Sequence, residues 1–189
     1  RQLNLANLTA KCRDYYSNNQ EFIELKDFNF KYGKTQVLNI NDLKIPKNEI
    51  IAIIGKNGAG KSTFANCLCG LKRSCKGKLI IGGDCLKRKD LIKKSYMVMQ
   101  DVNHQLFTES VIDEVLLSMD EENEQLAESI LANLNLIHLK DAHPMALSGG
   151  EKQRVAIASA IASKKEILIV DEPTSGLDLK NMMKVSENL

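Results

Sequence analysis

Gly55-Lys56-Asn57-Gly58-Ala59-Gly60-Lys61-Ser62 is the stretch on which the reading of this 189-residue chain turns. It fits the pattern G-x-x-x-x-G-K-[ST] through Gly55, Gly60, Lys61 and Ser62, and Thr63 continues it. The apolar run Ile50-Ile51-Ala52-Ile53-Ile54 before it reads as a buried strand, and Lys61–Leu71 after it carries apolar residues at helical spacing. A strand, a glycine loop and a helix make a phosphate cradle. Glycines let the backbone close around an anion with its N–H groups turned inward, and the helix start adds partial positive charge. In that reading Asn57, Gly58, Ala59 and Gly60 wrap the phosphates with their amides. Lys61 reaches the terminal phosphates, and Ser62 offers its hydroxyl to Mg²⁺.

The length suits one α/β domain with its own core. A net charge of +2 gives no field that would gather nucleic acid, and none is expected as a partner. No apolar run approaches the ~20 residues of a membrane span. The five cysteines, Cys12, Cys67, Cys69, Cys75 and Cys85, include no C-x-x-C pair, so they read as reduced thiols rather than a zinc site or disulfide framework.

Arg1–Gln20 turns polar at Ser17–Gln20 and is expected to be a linker or the tail of a preceding domain, with residues 21–189 as one domain. Glu21–Phe30 and Val37–Ile45 read as two strands of an antiparallel patch around the Tyr32-Gly33-Lys34 turn. Lys78–Ile81, Ser95–Met99 and Ile167–Val170 read as further strands; Leu86–Lys94 is a basic helix or turn. Val111–Met119, Glu124–Leu136 and Ser148–Ser163 have helical periodicity, and Leu177–Leu189 begins another helix. Strands alternating with helices predict a mainly parallel core sheet. The chain starts without Met and stops in an apparent helix, which suggests a piece of a longer protein.

Ile167-Leu168-Ile169-Val170-Asp171-Glu172 reads as a buried strand delivering carboxylates at its C-terminal edge, where open α/β sheets bind ligands. Asp171 would hold Mg²⁺ and Glu172 would polarise the attacking water. Leu147-Ser148-Gly149-Gly150-Glu151 is a second glycine-rich helix start. Residue chemistry alone reads it as a plain N-cap or as another anion pocket.

Together these residues resemble the ATP-binding cassette ATPases. Gly55–Ser62 is similar to their Walker A loop, Gln100 to the Q-loop glutamine and Leu147–Gln153 to the signature. Ile167–Glu172 is similar to Walker B and Ser175–Asp178 to the D-loop. The resemblance implies a P-loop NTPase core with an antiparallel patch near the N-terminus, a helical signature subdomain over about 101–160, and a C-terminal truncation. It implies ATP and Mg²⁺ as cofactors. Tyr32 would stack on adenine; Lys61, Gln100 and Glu172 would serve catalysis; Ser62, Gln100 and Asp171 would surround the metal. Two such domains, which can share one chain, would associate head to tail. Ser148, Gly149, Gly150 and Glu151 would then cover the partner's ATP, with Asp178 beside them. A finer resemblance is to the energy-coupling factor class of vitamin and metal-ion importers, through Met99–Phe107, Val111–Val115 and His143-Pro144. That class implies integral membrane partners and a place on the cytoplasmic face of the membrane. The family's switch histidine would follow Asp178, and none of His104, His138 or His143 does. Weak or absent hydrolysis by residues 1–189 alone is therefore expected. Alternatives are a soluble tandem cassette acting in translation and a regulatory half-site; a coiled-coil repair ATPase does not fit the 87 positions from Lys61 to Ser148.

Overall fold

The computed structural model describes residues 22–171. These residues divide into two compact units, with the boundary between Lys93 and Lys94.

The first unit is built on an antiparallel sheet. β1 (Phe22–Tyr32) and β2 (Thr35–Pro46) form a hairpin in which Tyr32 faces Thr35, and Gly33 takes φ +56° at the tip. β3 (Lys76–Ile81) pairs with the other side of β1 and turns through Gly82 and Gly83 into β4 (Asp84–Leu86), giving the order β2-β1-β3-β4. Both turn glycines have positive φ, the requirement of a two-residue hairpin turn. α1 (Lys61–Leu68) buries Phe64, Ala65, Cys67 and Leu68. Phe64 meets the ring of Phe28 edge-on at 6.4 Å and 86°, which fixes the helix to the sheet. α2 (Arg88–Lys94) buries Leu91 and opens with the Lys87 N–H donating to the Asp90 carboxylate at 3.0 Å.

In the second unit β5 (Ser95–Val98) and β6 (Ile167–Val170) pair in parallel, Val98 opposite Val170. Three helices, α3 (Val111–Leu116), α4 (Glu124–Asn133) and α5 (Gly149–Ala162), pack against one another. Each starts on a side chain that accepts a first-turn amide: Ser110 from Asp113, Asn123 from Leu126, Ser148 from Glu151. Such caps contribute about 1 kcal/mol each. α5 runs buried through Val155-Ala156-Ile157-Ala158-Ser159-Ala160, as a helix covered on all sides must be.

Two expectations are corrected. Ile50–Ile54 forms no strand, and Ile50 and Ile54 are 83% and 81% exposed. No described strand bonds this segment, and an extended segment without a ladder partner has no means of burying its apolar side chains. β6 is a strand, as expected, but is not buried: Leu168 is 37% exposed. Among the described residues β6 has one neighbour, β5, so the parallel pairing expected of the core sheet is confined to this two-stranded sheet, and the four-stranded sheet of the first unit is antiparallel throughout. Leu177–Leu189 lies outside the described residues.

Candidate functional site

The glycine loop joins the coil after β2 to α1. Gly58 and Gly60 take φ +75° and +96°, which no side-chain-bearing residue adopts cheaply. Gly60 is the N-cap of α1, and a Cβ there would come within 3.2 Å of Val37 Cγ1. The loop is pinned by Ala59 N–H donating to Lys56 O at 3.1 Å and Phe64 N–H to Gly60 O at 2.8 Å. Lys61 folds back over it, its Nζ donating to Gly55 O at 2.9 Å and Lys56 O at 3.3 Å. The ammonium therefore stands inside the curve of the loop, held by carbonyls that an incoming anion could replace. The first-turn amides of α1 have no intrahelical acceptor, and no acidic residue stands in that turn. Asn57, Gly58 and Ser62 are exposed and Thr63 is half-buried. The geometry is that of an anion cradle, and the residues present fit a triphosphate.

Tyr32 ends β1 half-exposed, 51%, against Phe30 edge-on at 4.8 Å, with Lys72 Nζ 5.4 Å over its ring. Sequence reasoning did not find Lys72.

In the second unit the in-register pairing of β5 and β6 brings their C-terminal ends to one edge. Gln100 follows β5 there and Asp171 follows β6, its N–H donating to Val98 O at 3.0 Å. An amide and a carboxylate at one strand edge suit a hydrated divalent cation. Lys61 and Ser62 belong to the first unit; Gln100, Asp171 and Ser148 belong to the second. Glu172 and Asp178 lie outside the described residues.

The segment after Gln100 is the most densely bonded part of this unit. Gln105 turns back on β5: its Oε1 accepts from Met99 N at 3.1 Å and its Nε2 donates to Met97 O at 3.1 Å. Glu114, 4% exposed, accepts with one oxygen from the amides of Phe107 and Thr108, both at 3.0 Å, and from the Thr108 hydroxyl at 2.8 Å. A buried carboxylate is tolerable only with such donors. Sequence reading singled out the surrounding runs but neither residue; the signal was an acid on the apolar face of α3. Asn103 accepts from Lys152 Nζ of α5 at 3.0 Å, tying this segment to the second glycine-rich helix. Asn103 N–H and side chain donate to Asp101 Oδ1 and hold that carboxyl below the usual aspartate range. His104 is exposed, its Nε2 3.5 Å from Asp101 Oδ2.

Ser148 caps α5 through a complete capping box. Its N–H donates to Glu151 Oε2 at 2.8 Å, its hydroxyl to the same oxygen at 2.6 Å, and Glu151 N–H returns to Ser148 Oγ at 3.4 Å. The Ser148 hydroxyl and amide hold the Glu151 carboxyl below its ordinary range. Gly149 is exposed, and a Cβ built on it would meet no atom within 4 Å.

Residues 38–175 match the family model described as ABC transporter. The chain belongs to the ABC transporter family. It is 48% identical to an ABC transporter ATP-binding protein of Treponema denticola over 85% of this chain and 33% of that one. It is 37% identical to the energy-coupling factor transporter ATP-binding protein EcfA1 of Fusobacterium nucleatum, over 88% of this chain and 68% of the other. Among solved structures, CbiO1 of Clostridium perfringens, part of the ABC transporter complex CbiONQ, is 30% identical with a TM-score of 0.72. That match covers 89% of this ABC chain and 70% of CbiO1. This ABC chain spans about a third of the length of the first curated relatives it matches.

Proposed function

We propose that this chain is the ATP-binding and ATP-hydrolysing cassette of an energy-coupling-factor-type importer, working at the cytoplasmic face of the membrane with integral transport subunits. The observation that carries it is the Lys61 ammonium inside a loop bent by Gly58 and Gly60 at the start of α1. Lys61 and the loop amides would neutralise the β- and γ-phosphates, and Ser62 with Asp171 and Gln100 would hold Mg²⁺. Held there, the metal would supply charge neutralisation to the phosphates. Tyr32 would offer a ring face to adenine. Glu172, next after Asp171, would take a proton from the attacking water.

Ser148, Gly149, Gly150 and Glu151 would close over nucleotide on a second cassette, in the same chain or another, with Asp178 adjoining. Gly149 supports this: among the described residues nothing stands where its Cβ would be, whereas close approach of an external phosphate would call for a glycine. The importer class rests on the resemblance of Met99–Phe107 and on relatives of the EcfA1 and CbiO kind. The test is calorimetry with Mg-ATP on the full chain. Wild type should bind, and Lys61→Ala should lose about 2 kcal/mol, roughly thirtyfold in Kd, as for a charge-assisted bond. Equal affinities would overturn the assignment.

A further inference from the structure

The first unit contains a second polar concavity, away from the glycine loop's own contacts. A cavity of about 90 Å³ is lined by Cys67 and Cys75, by Lys72, Arg73, Lys76 and Arg88, and by apolar residues of the sheet and α2. Cys67 is buried in the last turn of α1; Cys75 is half-buried and immediately precedes β3. The turn that carries Cys75 is closed by its own N–H donating to Lys72 O at 3.2 Å. The Cys75 thiol donates to Lys76 O at 3.9 Å; the neighbouring Cys67 draws the Cys75 thiol down in pKa, while Cys75 and burial push Cys67 up. A half-buried sulfur, a buried sulfur lining the same cavity and basic residues in that lining are the parts of a reactive thiol with a resolving partner.

We propose that Cys75 and Cys67 form a thiol pair that is oxidised to a disulfide by small anionic disulfides of the glutathione type. The Cys75 thiolate attacks one sulfur of the reagent; its S–S bond breaks, and one thiolate leaves and takes a proton. Cys67 then gives up its proton and attacks Cys75 Sγ in the mixed disulfide, expelling the second thiol. Two protein thiols are oxidised and one reagent disulfide is reduced to two thiols. The cations of the lining favour a reagent bearing carboxylates. The new bond joins the last turn of α1 to the residue that leads into β3.

The full chain is incubated with oxidised glutathione and mapped by mass spectrometry after trypsin. Cys67 and Cys75 fall in separate fragments, 62–72 and 74–76. The expected result is a chain lighter by two hydrogens, with those fragments joined, and the same join in Cys69→Ser. In Cys67→Ser the reaction should stop at a glutathione adduct on Cys75. Reduced wild type should be alkylated several-fold faster at Cys75 than at the more exposed Cys85. A join through Cys69, Cys85 or Cys12, a lasting adduct in wild type, or faster alkylation of Cys85 would overturn the proposal. Because Cys67 and Cys69 share fragment 62–72, the join in Cys69→Ser decides the matter even if Cys67→Ser fails to fold.

Discussion

At the scale of single residues, Glu114 carries the sharpest consequence. Its own carbonyl accepts from the buried Ser159 hydroxyl of α5 at 3.2 Å, and its carboxylate is the acceptor for two backbone amides and one hydroxyl of the segment 107–108. Glu114→Ala leaves those donors without an acceptor and should cost about 2–4 kcal/mol, with Glu114→Gln retaining one carbonyl and losing less. Amide hydrogen exchange at Phe107 and Thr108 is the discriminating measurement. Both should lose protection in Glu114→Ala, and unchanged protection would mean the bonds do not hold the segment. Residue chemistry made the anion cradle legible in the sequence, because Gly58, Gly60 and Lys61 each do what their type dictates wherever they stand. Glu114 was not legible in that way. An acid within an apolar helix reads as a solvated position until the loop that folds over it is seen.

Elements were readable where local chemistry defines them and unreadable where partners do. The spacing Leu25, Phe28, Phe30 breaks the two-residue period of a strand, and the structure supplies the reason. Asp27 takes φ +49°, the register of β1 against β3 shifts between Lys26 and Asn29, and the bulge moves Phe28 onto the buried face. Gly77 of β3 sits against that bulge; a Cβ there would lie 2.4 Å from Asp27 O, at φ +105°. Gly77→Ala should therefore destabilise the unit by about 3 kcal/mol or more. Gly83→Ala, with no atom within 4 Å, should cost only the left-handed conformation, about 1–2 kcal/mol. Equal urea midpoints for the two variants would contradict the packing argument. The α5 cap gives a pH prediction. Glu151 ionises in the folded chain below the ordinary 4.5, so its contribution is present above that value and fades as pH falls through the lower folded one. The difference in Tm between wild type and Glu151→Gln should be largest near neutrality and shrink below about pH 4. Ile50–Ile54 and β6 show the opposite case. Their apolar runs announced strands, but burial belongs to whatever pairs with them, which no local pattern specifies.

For the molecule as a whole, the open question of physics is why a helix start as well capped as α5 carries glycine at its first position. Alanine would stabilise an ordinary first turn, and at Gly149 the described residues offer no obstacle to a methyl group. The cost of keeping glycine makes sense if the space above it is filled by another cassette's nucleotide. Gly149→Ala should then fold with unchanged or slightly higher Tm and bind Mg-ATP at Lys61 as wild type does. Its nucleotide-dependent association should fail. Light scattering in the Glu172→Gln background, where hydrolysis is expected to stop, reads this directly. Mg-ATP should shift the mass from one chain to two, and adding Gly149→Ala should return it to one. A dimer that persists in the double variant would mean that Gly149 is not at the interface, and the head-to-tail arrangement would have to be abandoned for this chain.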